Sequence, residues 1–218
     1  MKKSAFLISL AVLLIFALNV VAQEEEEESE KWRNFEVALQ AGLGVPSNIN
    51  WYDTLEAKAG VNFGGAGGYY FTNRICLGAY FTYTQFGIDN KTSNDVEDIH
   101  YKMYDVGLYA KYAFAGESNF EPYIKLSAGA NFPKYATWVG PTRTILRELS
   151  YDPGLSTAAY LGAIYYTSDY GGIYLEVGYH QDWLQYDEAD YAGVIHVIPE
   201  DVKYIQLKAG VTVFFGPE

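Results

Sequence analysis

His180 and Asp182 stand two residues apart, an imidazole and a carboxylate on what reads as an extended segment. A period of two puts both on one face, and a serine from a loop would complete the base and orienting acid of a hydrolytic relay. No other catalytic group accompanies them, and a lone histidine near a strand end is more often a boundary or lumen residue, so no enzymatic activity is expected. Two acidic groups, Asp95 with Glu97 and Asp98, and Asp187 with Glu188 and Asp190, are of the type that binds Ca²⁺ or bridges lipid phosphates through divalent cations. Their spacing matches no metal loop, and solvated acids account for them. Cys76 is the single cysteine, which excludes an internal disulfide and reads as a small wall residue. No Cys/His zinc spacing and no phosphate-binding glycine loop occur: Gly64, Gly65, Gly67 and Gly68 lie inside an alternating segment. No cofactor and no metal is therefore expected.

The elements that carry these residues are strands. In Tyr204–Phe215, Ile205, Leu207, Ala209, Val211, Val213 and Phe215 alternate with Tyr204, Gln206, Lys208, Gly210, Thr212 and Phe214, so one face is apolar and the other polar. Twelve residues at about 3.3 Å each, tilted near 45°, span roughly 28 Å, close to the thickness of a bilayer's hydrocarbon core. The same two-faced pattern recurs over 34–45, 59–71, 101–114, 120–132 and 173–182, while 75–88 and 154–167 read as strands with aromatics in both phases. Long connections 46–58, 89–100, 133–153 and 183–201, the first two of them polar, alternate with short turns at 72–74, 115–119 and 168–172. Long and short connectors in alternation predict an all-β fold, an eight-stranded antiparallel up-and-down transmembrane β-barrel over 34–215, with loops on one side and turns plus termini on the other.

Composition agrees with export and a membrane wall. Lys2 and Lys3 precede the apolar run 5–18, and Val20-Val21-Ala22 supplies a cleavage site, so residues 1–22 read as a signal peptide cut after Ala22. Glu24–Glu28 with Glu30 make 23–33 an acidic disordered spacer. The whole chain carries a formal charge of −12; without Lys2 and Lys3, 13 basic residues face 27 acidic ones, a balance of −14 that argues against a nucleic-acid partner. The 21 tyrosines and 21 glycines suit a barrel with tyrosine at the lipid–water boundaries and glycine thinning the inner wall.

With the leader, the eight strands, the Phe120-Glu121-Pro122-Tyr123-Ile124-Lys125 start of strand five and the aromatic end of the last strand together, the chain resembles the small porin-like outer-membrane β-barrel family, frequent in Bacteroidota. That resemblance implies a place in the cell outer membrane, contact with its lipid and lipopolysaccharide, and insertion by the barrel assembly machinery, which reads a last strand ending in an aromatic such as Phe215.

Six charges fall on the inner face: Glu36, Asp105 and Glu176 against Lys111, Lys125 and Lys208. Counted from the short turns, Glu36, Lys111, Lys125 and Glu176 lie at similar depth, the lysines on neighbouring strands and the acids across the ring. An eight-stranded barrel is just wide enough to be filled by side chains. The expectation is an ion-pair layer that holds the lumen shut, in a protein with a structural or surface-interaction role. A narrow porin-like pore lined by the same residues is the alternative. Two more remote readings are a lipid-modifying enzyme built on His180 and a secreted soluble ligand-binding barrel with the apolar face turned inward.

Overall fold

The computed structural model describes residues 33–47, 50–52, 55–90, 97–114, 119–139, 144–150, 152–185 and 201–216. The expected signal peptide and all of the expected spacer but Arg33 lie outside them.

Eleven strands are present among the described residues: β1 (Phe35–Pro46), β2 (Asn50–Tyr52), β3 (Leu55–Ala57), β4 (Gly60–Tyr70), β5 (Ile75–Asn90), β6 (Glu97–Ala113), β7 (Phe120–Val139), β8 (Thr144–Ser150), β9 (Asp152–Ser168), β10 (Gly171–Gln185) and β11 (Asp201–Phe215). Eight of them form a ring of antiparallel neighbours in the order β1-β4-β5-β6-β7-β9-β10-β11. The first and last strands close it along their whole length, from Phe35 opposite Phe215 to Pro46 opposite Tyr204. Closure leaves the ring without a free edge, which lets strands cross a bilayer with their backbone groups satisfied.

Alternation decides which way each side chain points. In β1, Val37, Leu39, Leu43 and Val45 face outward and exposed, while Glu36, Ala38 and Gln40 are buried inside. The outward set continues round the ring with residues such as Leu108, Leu161, Leu175 and Leu207. Phe35, Tyr69, Phe71, Phe114, Phe120, Tyr165 and Phe215 ring the end that carries the short turns, an aromatic girdle at the level of a membrane interface. The apolar face is thus the outer one, which removes the soluble ligand-binding arrangement from consideration. The two ambiguous strands resolve in the same way: Cys76, Thr82, Thr84 and Phe86 of β5 and Ser156, Tyr160, Ile164 and Tyr166 of β9 point inward.

The turn end is tightly made. Thr72 Oγ1 accepts hydrogen bonds from the backbone N–H of Arg74 and Ile75 at 3.2 and 3.0 Å, which folds the chain from β4 into β5.

The loop end differs from expectation. Strands β5, β6, β7, β10 and β11 run two to seven residues further than their alternation indicates. The connection expected over 133–153 holds the far end of β7 and the added strand β8, which pairs with it. Pro133 misleads the sequence reading, since proline lacks the N–H that a ladder needs. Here β7 leaves β9 after Asn131 and takes up β8 at Lys134, so Pro133 sits where one side of the strand has no partner. A short β2–β3 hairpin likewise fills part of the connection expected over 46–58, β3 lying along the outer end of β5.

Candidate functional site

The lumen is built from tyrosines laid into gaps left by glycines. A Cβ at Gly162 would stand 2.5 Å from the Tyr123 ring, one at Gly210 2.5 Å from Tyr174, and one at Gly78 2.5 Å from Tyr109. Each ring therefore crosses the inner wall only because the facing residue has no side chain. Tyrosine thus serves the interior as well as the girdles, beyond the boundary role its abundance indicates.

The phenol heads converge on charge. Glu36 accepts from the Tyr109 hydroxyl at 2.6 Å, from Tyr70 at 3.0 Å and from the Cys76 thiol at 3.6 Å, and it is ion-paired with Lys111. Glu176 accepts from the Tyr123 hydroxyl at 2.8 Å and is ion-paired with Lys125. Lys111 and Lys125 are register partners on β6 and β7. Like charges directly opposite repel, and each lysine escapes by reaching across the lumen to its own acid, on β1 or β10. Their ammonium groups also lie near aromatic faces, Lys111 5.1 Å from the Tyr70 centroid and Lys125 4.9 Å from that of Tyr160. Between the pairs remains a cavity of about 20 Å³, lined by both of them with Tyr109, Tyr123, Tyr174 and Thr212. That is space for about one water molecule.

A second closure lies at the turn end, and sequence reasoning missed it. Arg33, placed by its acidic neighbours in the spacer, is buried with its guanidinium forked onto Glu121 at 3.0 and 2.9 Å. It lies 4.4 Å from the Tyr166 centroid and 4.8 Å from that of Phe214. Glu121 in turn accepts from the Tyr166 hydroxyl at 2.8 Å. The signal for this cluster was the phase of Glu121, which shares the inner face with Tyr123 and Lys125.

The remaining two charges of the expected layer stand apart from both pairs. Asp105 lies three inward positions beyond Lys111 along β6, fully buried, and neither of its oxygens has a hydrogen-bond partner. Lys208, the register partner of Glu176, carries its nitrogen 3.9 Å over the Tyr160 ring. The structure thus brings Glu36 to Lys111 and Glu176 to Lys125, and leaves Asp105 and Lys208 outside those pairs.

Asp105 instead meets His180 and Asp182: one ligand atom from each lies within 4.8 Å of the others. His180 and Asp182 are buried in the lumen rather than set at a rim. A serine is present, but it is Ser156 of β9 and not a loop residue. Its Oγ lies 2.8 Å from His180 Nε2, and Asp182 Oδ1 lies 3.1 Å from the same nitrogen. A hydrolytic relay needs the serine and the carboxylate on opposite nitrogens of the ring. With both on Nε2, no proton passes from serine through imidazole toward the acid. Asp95, Asp187, Glu188 and Asp190 lie outside the described residues.

The model of the protein family described as outer membrane protein β-barrel domain matches residues 8–152, more than half of the chain. Among solved structures, Neisserial surface protein A shares 19% identity over 87% of this chain and 100% of its own, with a TM-score of 0.50. The attachment invasion locus protein Ail of Yersinia pestis shares 17% over 84% and 99%, at 0.46. OprG from Pseudomonas aeruginosa shares 14% over 85% and 98%, at 0.46. At 19% identity the likeness to the Neisserial protein is one of fold. No curated protein matches the sequence.

Proposed function

The chain belongs to the family of outer membrane protein β-barrel domains, and from this outer-membrane barrel we propose a non-enzymatic protein with a plugged lumen, whose wall is structural and whose loop end meets the surroundings. The observation that carries this is the filling of the lumen: two ion pairs, the tyrosines around them and a residual cavity of about 20 Å³. A hydrated ion needs a continuous wet path, and at the level of these pairs there is room for about one water. Buried charges are tolerated when paired and hydrogen-bonded, so the layer acts as a clasp and not as a selectivity ring. The geometry at His180 Nε2 supports the non-enzymatic part.

Export with removal of residues 1–22, insertion by the barrel assembly machinery, and contact of the outward face with outer-membrane lipid and lipopolysaccharide belong to the same proposal. The test is conductance of the purified, refolded protein in planar bilayers. Wild type should give no resolved channel steps. Lys125→Glu, which sets a second acid against Glu176, should leak current and melt earlier in detergent. Resolved steps from wild type would establish the narrow-pore alternative instead.

A further inference from the structure

We propose that Asp105, His180 and Asp182 form a binding site for one divalent first-row transition-metal ion, zinc foremost, held inside the barrel between β6 and β10.

The argument starts from unmet charge. Asp105 is fully buried, and both its oxygens lack a hydrogen-bond partner, as does Asp182 Oδ2. Glu36 and Glu176 each have a lysine in direct contact, whereas Asp105 and Asp182 lie close together with only the more distant charge of Lys208 between them and neutrality, an arrangement that a cation from outside the chain would complete. The protein's own nearby cation is Lys208, and its nitrogen rests on the Tyr160 ring. Tyr80 and Tyr204 also face this cluster, and neither hydroxyl is bonded to a carboxylate.

The histidine is oriented as a ligand. The Tyr160 hydroxyl donates to Gln206 Oε1 at 2.5 Å, so its oxygen is left to accept from His180 Nδ1 at 3.3 Å. A neutral ring that carries its proton on Nδ1 turns the lone pair of Nε2 toward Ser156 Oγ, at 2.8 Å, and toward Asp182. Asp182 Oδ1 stands 3.1 Å from the same nitrogen, so two electron-rich atoms lie side by side where one cation could bind both. The ring is fixed by stacking on Tyr204, centroids 4.6 Å apart and planes within 15°. A hydrogen bond at the far nitrogen and a held ring plane are the usual supports of a metal-binding imidazole.

The spacing fits. Neighbouring ligand atoms around an ion with bonds of about 2.1 Å stand roughly 3.0–3.4 Å apart, and opposite ones about 4.2 Å. The Nε2–Oδ1 distance of 3.1 Å is already of that size, and a small side-chain shift brings Asp105 in from the 4.8 Å limit. Position 180 and position 182 share a face by strand alternation, and Asp105 comes from across the lumen. One imidazole with two carboxylates favours zinc or manganese over calcium or magnesium, which take oxygen ligands. Ser156 Oγ or a water would complete the shell. Such an ion would tie β6 to β10 above the lysine pairs. The site stands on these residues alone, whether or not the lumen conducts.

Because the cluster is closed off, the test supplies metal during refolding. The mature chain is stripped with chelator in urea and refolded into detergent with Zn²⁺, Co²⁺, Ca²⁺ or no metal; one portion is desalted for its metal content, and the other is melted with the metal still present. The expected result is one Zn²⁺ or Co²⁺ per chain, a cobalt absorption spectrum of mixed nitrogen and oxygen ligation, and a melting point raised on the order of 5–10 °C at about a hundredfold excess over Kd. Ca²⁺ should give none of these. Asp105→Asn and, separately, Asp182→Asn should fold and lose both the ion and the shift. Refolded wild type without stoichiometric metal would overturn the proposal. Unchanged binding in both variants would overturn it equally.

Discussion

Glu36 and Asp105 are two carboxylates on the inner face of one barrel, both buried, and they meet opposite surroundings. Glu36 is held by a lysine, two tyrosine hydroxyls and a thiol gathered from three other strands. Asp105 has no lysine or arginine in contact, and its neighbours are a second carboxylate, Asp182, with His180. Burial and strand phase are the same for the two, so neither property tells what a lumen charge is for. The partners reaching it from across the ring do. A satisfied acid braces the wall, whereas an unsatisfied one implies something still to be bound.

The largest effect should come from breaking the satisfied side. Glu36→Leu strands the Lys111 ammonium in a buried site, at a cost of about 3–5 kcal/mol. Unfolding in detergent, followed by the shift in gel migration on heating, should register it. Glu36→Leu with Lys111→Met should recover most of the loss, because apolar replacement of a buried pair is often close to neutral. Additive losses in that double variant would mean that the two groups do not depend on each other. A smaller effect is expected from Gly162→Val. Its side chain would occupy the place of the Tyr123 ring, 2.5 Å from the Cβ position, and pull that hydroxyl from Glu176. Overpacking of this sort costs about 1–3 kcal/mol, read in the same melting assay; an unchanged melting point would show that the ring is not wedged against the wall.

The paired layer was more legible in the sequence than the outer cluster, for a geometric reason. Glu36, Lys111, Lys125 and Glu176 lie close to the turns, so counting positions from a turn places them at one level before strand stagger accumulates. Asp105 is farther along. Its register partner on β7 is Asn131, whose own partner on β9 is Gly154, yet its side chain lies beside Asp182, which is in register with Ser156. That offset is the tilt of the strands, which alternation does not encode. The facing of β5 and β9 was hidden because tyrosine and phenylalanine occupy both phases: Tyr160 and Tyr166 fill the lumen while Tyr165 lies in the girdle. Arg33 was hidden by the run of glutamates before it, the far end of β7 by Pro133, and the far end of β10 by the acidic residues that follow Gln185.

The smallest effect is the most discriminating, because its sign is at issue. In metal-stripped protein, Asp105→Asn removes one of two carboxyls that crowd each other, Asp105 and Asp182, and keeps the volume of the side chain. The amide costs less to desolvate than the carboxylate, and it relieves the repulsion from Asp182. Stability should rise by on the order of 1 kcal/mol, about 2–4 °C for a chain of this size. Glu36→Gln, chemically the same change, deletes the counter-charge of Lys111 and should lower the melting point. Two carboxylate-to-amide variants moving in opposite directions would fix the difference between the regions in one assay. If Asp105→Asn falls together with Glu36→Gln, then Asp105 is held by donors within the folded chain, the two acids are alike, and the outer cluster is one more brace.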